Sequence, residues 1–380
     1  GKASAHYSKQ IVRSAEKRTF IMKKKLLSVV LTAVMAASVL TGCGSTDNGT
    51  ASTAAATGTA QSEAAATSAA STDGKVYNIG ICQLVEHEAL DAATQGFQDA
   101  LKEKLGDNVK FDLQNAQGEQ TTAATICNGF VSDGVDLILA NATSPLQSAA
   151  AATTTIPILG TSVTDYATAL EISDWSGATG RNISGTSDLA PIEEQEAMLK
   201  ELFPDVKQVG LLYCSAEANS LYQIQLFEAA LDKDGIAYKE YAIADTNEVQ
   251  SVTTAAAGEC DVLYIPTDNT LASVTETVYN VVAPAKIPVI AGEEGICNGC
   301  GVATLSISYY DLGYATGEMA YEILAEGADI TTMDVRYAPN VTKKYNAKIC
   351  EELGITVPDV RVIQVFKYGS NKIYFDRDSA

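Results

Sequence analysis

From residue 76 onward, short apolar runs alternate with longer segments whose apolar residues recur every three or four positions. The first such unit, residues 76–97 (VYNIGICQLVEHEALDAATQGF), predicts a strand, a polar turn at residues 83–88 and an amphipathic helix. Ala89, Leu90, Ala93, Phe97 and Leu101 fall on one face of that helix. A strand that feeds a helix through a short loop is the opening unit of a parallel α/β sheet. Such sheets bind ligands at the C-terminal ends of their strands, which puts residues 83–88 at a candidate site.

The pattern then repeats. Apolar segments at residues 77–82, 109–113, 135–140 and 156–159 are echoed at 209–213, 237–243, 262–265 and 287–290. Gly134-Val135-Asp136-Leu137-Ile138-Leu139 aligns with Glu259-Cys260-Asp261-Val262-Leu263-Tyr264, and Ile156-Pro157-Ile158-Leu159 with Ile287-Pro288-Val289-Ile290. Phe97, in Gly-Phe-Gln-Asp-Ala-Leu, sits where Phe227 does in Leu-Phe-Glu-Ala-Ala-Leu. A repeat of this length is too long for a solenoid and suits a duplicated α/β domain. The prediction is two lobes, each a doubly wound parallel sheet whose strands are continuous apolar runs because both faces are buried. Extended stretches at residues 182–189, 302–310 and 336–345 are expected to cross between the lobes, and three crossings make a hinge on which two lobes close.

Upstream of this body the chain has the layout of a delivery device. After Met22 come three lysines, an apolar run over residues 26–40 and Leu40-Thr41-Gly42-Cys43, the order of a signal peptide. Its ending looks like a bacterial lipobox, in which Cys43 is lipidated and becomes the new N-terminus. Residues 1–21 precede Met22, are polar and unpatterned, and read as extra translated sequence. Residues 44–74 are almost wholly Ser, Thr, Ala, Gly and a few acids, too polar to offset their ordering entropy, and as a coil would span on the order of 30 Å. The expected partition is therefore a signal peptide at 22–42, lipidated cysteine and tether at 43–74, lobe one at 75–186 and 305–337, lobe two at 187–304 and 338–360, and an uncertain tail at 361–380.

Net charge sharpens the picture. The chain carries −21 overall, and beyond residue 42 it has 18 basic against 46 acidic residues, or −28. Phosphate contacts need clustered Lys and Arg, so nucleic acid is excluded as a partner. The acidity suits a soluble, self-repelling exported protein.

Candidate site residues follow from position at the predicted strand ends. In the first lobe they are Gln83, Leu84, His87, Thr143, Ser144, Thr164 and Asp165, with Asp188 at the first crossing. In the second they are Ser215, Glu217, Asn219, Ser220, Thr267, Asp268, Asn269 and Glu293. Ser144-Pro145 reads as a helix cap followed by proline at the first helical position, and Asn219 or Ser220 as the cap of the helix after it. Helix N-termini suit a carboxylate, while Asp188, Asp268 or Glu293 suits an ammonium group. Together they point to an amino acid, with Leu84 and Val85 as apolar walls.

Other chemistries find less support. With only His6 and His87 in the chain, no His cluster for a metal is expected. His87-Glu88 begins like a zincin motif, but Asp91 stands where the second His belongs. A triad of His87, Ser215 and Asp268 lacks the Gly-x-Ser-x-Gly elbow, and no Gly-rich loop follows the first strand, so neither catalytic residues nor a cofactor are expected. Cys297-Asn298-Gly299-Cys300, set among Gly295, Gly299 and Gly301, reads as a loop holding a local disulfide or two free thiols. Cys82, Cys127, Cys214, Cys260 and Cys350 read as small buried hydrophobes, and Trp175 as a surface-loop anchor.

The body of the chain resembles the substrate-binding lipoproteins of ABC transporters of the tryptophan/tyrosine type. The resemblance is carried by His87-Glu88-Ala89-Leu90-Asp91, Asn141-Ala142-Thr143-Ser144, Val163-Thr164-Asp165, Ser184-Gly185-Thr186-Ser187-Asp188, Tyr213-Cys214-Ser215-Ala216-Glu217-Ala218-Asn219-Ser220, Pro266-Thr267-Asp268-Asn269-Thr270 and Asp311-Leu312-Gly313-Tyr314-Ala315-Thr316-Gly317. It spans about residues 75–335. It implies a two-lobed, type I periplasmic-binding-protein-like fold that captures an aromatic or hydrophobic amino acid without catalysis. The same resemblance implies a monomer, lipid-anchored at the outer face of the bacterial cytoplasmic membrane, whose partners are an ABC permease and its ATPase. The Cys-bearing segment and the end from residue 361 depart from the family pattern. The alternatives are a sugar or nucleoside binder of the same fold, an exported hydrolase using His87, and a sensory ectodomain. Few Trp and Phe residues lie at the strand ends to stack on a sugar, which favours the amino acid.

Overall fold

The computed structural model of the chain describes residues 74–338, 340–357 and 366–367. The signal segment, Cys43, the tether and most of the tail expected from the sequence lie outside the described residues.

The first half runs β1 (Tyr77–Gln83), α1 (Glu88–Leu105), β2 (Val109–Asn115), α2 (Gln120–Asp133), β3 (Leu137–Asn141), α3 (Thr143–Ala152), β4 (Ile158–Val163), α4 (Tyr166–Ala169) and β5 (Ile183–Ser187). The second half repeats the series as α5 (Ile192–Leu202), β6 (Gln208–Cys214), α6 (Ala218–Asp234), β7 (Ala237–Ile243), α7 (Val249–Glu259), β8 (Val262–Ile265), α8 (Asn269–Ala272), α9 (Thr275–Ala285), β9 (Val289–Ala291), α10 (Glu294–Cys300) and β10 (Ala303–Ile307). The chain ends with α11 (Tyr309–Leu324), β11 (Arg336–Tyr337), β12 (Asn340–Tyr345), α12 (Ala347–Leu353) and β13 (Phe366–Lys367).

Two sheets result, ordered β11-β5-β4-β3-β1-β2 and β13-β12-β10-β9-β8-β6-β7. Stripped of their late strands, both have the same doubly wound order, so the internal repeat of the sequence is a repeat of topology. All pairs are parallel except β12 with β10 and with β13. The chain leaves the first sheet after β5, leaves the second after β10, and crosses again between β11 and β12, giving the three expected passes. Register aligns the C-terminal ends. Gln83 pairs with Asn141, and Asn141 with Thr161, so three neighbouring strands present a polar row at one edge of the first sheet.

Helices cover both faces of each sheet, and the central strands β3, β4, β8 and β9 are buried throughout. The expectation of two-sided burial fails at β2 and β7. Both are edge strands with several exposed residues, and Leu113 is 50% exposed. One apolar cluster belongs to neither sheet alone: Ala89 and Ala93 of α1 and Tyr309 and Leu312 of α11 pack with second-lobe residues such as Leu305 and Val341. Trp175 is partly buried against the first-lobe core, as a loop anchor would be.

The Cys-bearing segment is a correction: residues 294–300 are helical. The Glu293 carboxylate accepts from Gly295 and Ile296 N–H and caps the turn, offsetting the helix cost of the glycines. Those glycines answer to packing rather than to turn formation. A Cβ on Gly299 would lie 2.2 Å from Thr275 Oγ1. Cys297 and Cys300 are free and buried, as are the other described cysteines, and burial pushes both thiols of the pair up.

Helices α1 and α11 make the closest helix contact of the body. A Cβ on Gly313 would fall 1.9 Å from Ala93 O, and one on Gly96 2.1 Å from Tyr310 O. Because these neighbours are backbone, nothing can swing aside. Alanine is the better helix former by ~1 kcal/mol, yet Gly313→Ala should destabilise by about 2 kcal/mol or more, because the helices must separate. Thermal unfolding should show a midpoint lower by about 4 °C or more.

Candidate functional site

The predicted residues do gather where the two sheets face each other, but most are occupied with one another. In the first lobe, Gln83 Nε2 donates to Asp91 Oδ1 (2.6 Å) and Val85 O, and its Oε1 accepts from Thr94 (2.6 Å). Leu84 packs with Leu90, Ala142 and Val85 in a small apolar cluster. Thr164 donates to Asp188 (3.0 Å), and Asp165 caps α4 by accepting from Thr168 N–H (2.7 Å). Thr143 and Ser144 open α3, whose N-cap position is Ala142 at φ 105°. Ser144 is thus inside the first turn rather than its cap, and its hydroxyl oxygen is buried without a partner.

In the second lobe a single network joins Glu217, Asn219, Ser220, Thr267, Asp268 and Asn269. Glu217 accepts from Asn269 N–H and Nδ2, Thr270 N–H and hydroxyl, and Asn219 Nδ2, all within 3.1 Å. Asp268 accepts from Leu271 N–H, Cys214 N–H and the Ser220 hydroxyl. Asn219 Nδ2 and Gln223 Nε2 both donate to Thr267 O. Glu217, not Asn219 or Ser220, holds the N-cap position of α6, because the chain needs those two side chains to reach Thr267 and Asp268. Ser215 stands apart, exposed, with its hydroxyl on Ile243 O. No hydrogen bond links His87, Ser215 and Asp268, so the imagined triad is not assembled.

Among the described residues, hydrogen bonds join the lobes at the cleft and at its hinge. His87 Nε2 lies 3.1 Å from Asn269 Oδ1, Asn298 Nδ2 donates to the Glu88 carboxylate (2.9 Å), and Tyr309 donates to Asp188 (2.7 Å). Glu88 comes close enough to α10 that a Cβ on Gly295 would lie 3.1 Å from Glu88 Cβ. Glu88 closes the 83–88 stretch expected at the site, whereas Tyr309 and Asn298 were not among the predicted residues. The only sequence signal for Tyr309 was its place just after the second crossing.

A model of the family described as ABC transporter substrate binding protein matches residues 78–367. The chain belongs to that family. It is 39% identical over 323 residues to a tyrosine-binding protein of Clostridioides difficile strain R20291, covering 83% of this chain and 89% of that one. The ABC domain from Streptococcus pneumonia solved in complex with L-Trp superposes with a TM-score of 0.72 at 35% identity, over 75% of this chain and 97% of that one. A substrate-binding protein with adhesive properties from Clostridium difficile, in its ligand-free, open structure, gives 0.60 at 38% identity, over 76% and 98%. The more identical chain superposes less well. In this substrate-binding protein the lobes are joined across the cleft, and the difference in superposition runs the same way.

Cavities among the described residues lie to the side of these cross-lobe contacts. One of about 180 Å³ lies by the hinge, against Glu88, Glu293, Gly295, Tyr309 and Lys344. Another, about 230 Å³, lies over Gln83, Asp91, Thr94 and Asn115. Neither reaches Ser144, Ser162 or His87, whose Oγ, Oγ and Nδ1 atoms are buried without a partner. With Asn141 Oδ1, also buried without a partner at the end of β3, they are among the polar atoms at the strand ends left over once the internal networks are complete.

Two buried carboxyls of the substrate-binding protein's cleft are strongly perturbed. Burial, with the Glu217 carboxylate next to it, pushes Asp268 up to about 8, and burial pushes Glu293 up to about 7. Both therefore hold protons more tightly in the folded than in the unfolded chain, where a carboxyl titrates near ~4. Folding takes up protons from the unfolded carboxyl range up to about pH 8, so between pH 6.5 and 8 stability is still falling as pH rises. Burial lowers the His87 pKa, so its ring is neutral there and does not reverse the slope. The thermal midpoint, followed by Trp175 fluorescence, should be lower at pH 8 than at pH 6.5, and Asp268→Asn should flatten the dependence.

Proposed function

We propose that the protein captures an amino acid with an aromatic or hydrophobic side chain between its lobes and hands it to an ABC permease driven by an ATPase. The observation that carries this reading is the N-terminus of α3. Of the helices that start at the ends of β1, β3, β4, β6, β8 and β9, four have a carboxylate in their first turn or as a cap: Glu88 and Asp91 on α1, Asp165 on α4, Asp268 on α8 and Glu293 on α10. At α6 the N-cap residue is itself Glu217, whose carboxylate accepts from the α8 N-terminus. Helix α3 has no acidic residue in its first turn and no side-chain cap. Its positive dipole end, beside the unpartnered Ser144 hydroxyl, is the place that suits the carboxylate of a ligand. The carboxylate-rich wall opposite suits an ammonium group.

The relatives support the choice of side chain, since one is a tyrosine-binding protein and another carries L-Trp. The lipobox-like sequence at Cys43 extends the reading: a monomeric lipoprotein, tethered at the outer face of the bacterial cytoplasmic membrane, that binds and releases without catalysing a reaction.

Protein purified under native conditions, denatured and analysed by mass spectrometry should release the ligand it acquired in the cell. Titration with amino acids, sugars and nucleosides should raise the unfolding midpoint with L-tyrosine or L-tryptophan. At a hundred times Kd the gain is ~2.7 kcal/mol. Stabilisation by sugars or nucleosides alone would overturn the proposal.

A further inference from the structure

His87 occupies the N-cap position of α1, where a polar side chain would ordinarily turn back to the first free N–H groups, yet its ring makes no capping hydrogen bond. The backbone is extended there, at φ −163° and ψ 165°, and the ring reaches the second lobe instead. The partner fixes its protonation. Asn269 Nδ2 donates to Glu217 Oε2 at 2.7 Å, which leaves Asn269 Oδ1, an acceptor only, facing His87 Nε2. Nε2 must therefore carry the proton, and in the neutral ring Nδ1 is then a bare acceptor. That nitrogen is excluded from solvent and has no partner among the described residues.

We propose that His87 is a ligand contact and a lobe latch at once, its Nε2–H holding Asn269 while its Nδ1 lone pair accepts an N–H of the ligand's ammonium group. This rests on the cleft being an amino-acid site. The tautomer dictates the donor: a carboxylate oxygen facing Nδ1 would set acceptor against acceptor. The surroundings favour a cation, because the charged groups that face the ring are Glu88 and Asp91 from its own helix and Glu217 from the second lobe, all acidic. Capture and closure are then one event. The same imidazole that accepts from the ligand donates to the opposite lobe, so a ring doubly protonated before closure has no lone pair to offer.

A pH dependence follows with a definite sign. An imidazole in water titrates near ~6.5; in the closed cleft burial lowers that of His87, although its bond to Asn269 and the three carboxylates pull the other way. Closure onto ligand therefore expels a proton, and affinity is lost as pH falls below the open-state value. Calorimetric titration of the wild-type protein with L-tyrosine should give a Kd flat between pH 7 and 8 and rising toward ~10-fold per unit below pH ~6.5. Proton release should appear as a heat that depends on the buffer's ionisation enthalpy.

His87→Gln keeps a donor for Asn269 and removes the Nδ1 acceptor. It should weaken L-tyrosine by about tenfold at pH 7.5 and flatten the pH profile. It should leave the deaminated analogue of tyrosine, with the same phenol and carboxylate but no amine, unchanged. L-Phenylalanine, lacking the phenol hydroxyl, should lose as much as L-tyrosine. Equal weakening of tyrosine and its deaminated analogue, a pH profile that survives the substitution, or binding that tightens on acidification would overturn the inference while leaving the amino-acid reading intact. Failure of the wild-type protein to bind L-tyrosine, L-phenylalanine or L-tryptophan would remove both.

Discussion

The constraint on which the two-lobed body depends is the burial of Asp188 at the first crossing. A carboxylate taken out of water costs several kcal/mol unless hydrogen bonds replace its hydration. Here one oxygen accepts from Thr164, at the end of the first sheet, and the other from Tyr309, the residue that follows the second crossing. Burial still raises the Asp188 pKa against both bonds, so neither hydroxyl can be lost cheaply. The consequence is that two of the three passes between sheets are pinned to one side chain. Because α11 begins at Tyr309 and packs along α1 with backbone nearly touching backbone, the N-terminus of α1 inherits its position relative to the second lobe from the same anchor. His87 and Glu88 can meet Asn269 and Asn298 only because that chain of contacts is stiff.

The acidic character of the cleft has a related explanation. Parallel sheets collect helix N-termini at one edge, and each brings unpaired N–H groups that must be satisfied. The second lobe does so with carboxylates. Glu217 takes five donors, Asp268 three and Glu293 two. Groups so committed are held in place before any ligand arrives. A wall whose rotamers are already fixed loses less entropy on binding, and a rigid wall against which the other lobe closes needs only a few movable contacts. The same side chains that looked like clamps are in this sense the frame of the clamp.

That distinction marks where sequence reasoning reached and where it stopped. The four strands at the front of each repeat were legible because buried parallel strands are continuous apolar runs, and the duplication was legible because Ile-Pro strands and an Asp just before the third strand recur at matching places. Edge exposure at β2 and β7 was not, since an edge is a property of neighbours and Leu113 is as apolar as a core residue. The Cys-bearing helix was misread because glycine was taken for a turn former, when Gly299 is there to let Thr275 approach. Site position was legible from strand ends. Site role was not: whether Asp268 meets a ligand or Cys214 N–H depends on hydrogen bonds to Cys214 and Ser220, 54 and 48 positions away in the chain, and nothing in local pattern reports them.

A cleft in which nearly every carboxylate is already paired restricts how a ligand can drive closure. A ligand shifts the open–closed equilibrium only by the difference in its interaction with the two states, and groups buried within one lobe offer the same contacts in both. The differential contacts must come from atoms that closure itself brings together and that the lobes leave unpaired. Among the described residues these are few, and His87 is the one whose ring already bridges to the opposite lobe while its other nitrogen is unpartnered. Closure without ligand buries that nitrogen unsatisfied, a penalty of ~1–3 kcal/mol. Closure onto a donor removes the penalty, so the same lone pair that destabilises the empty closed state selects for a ligand able to fill it.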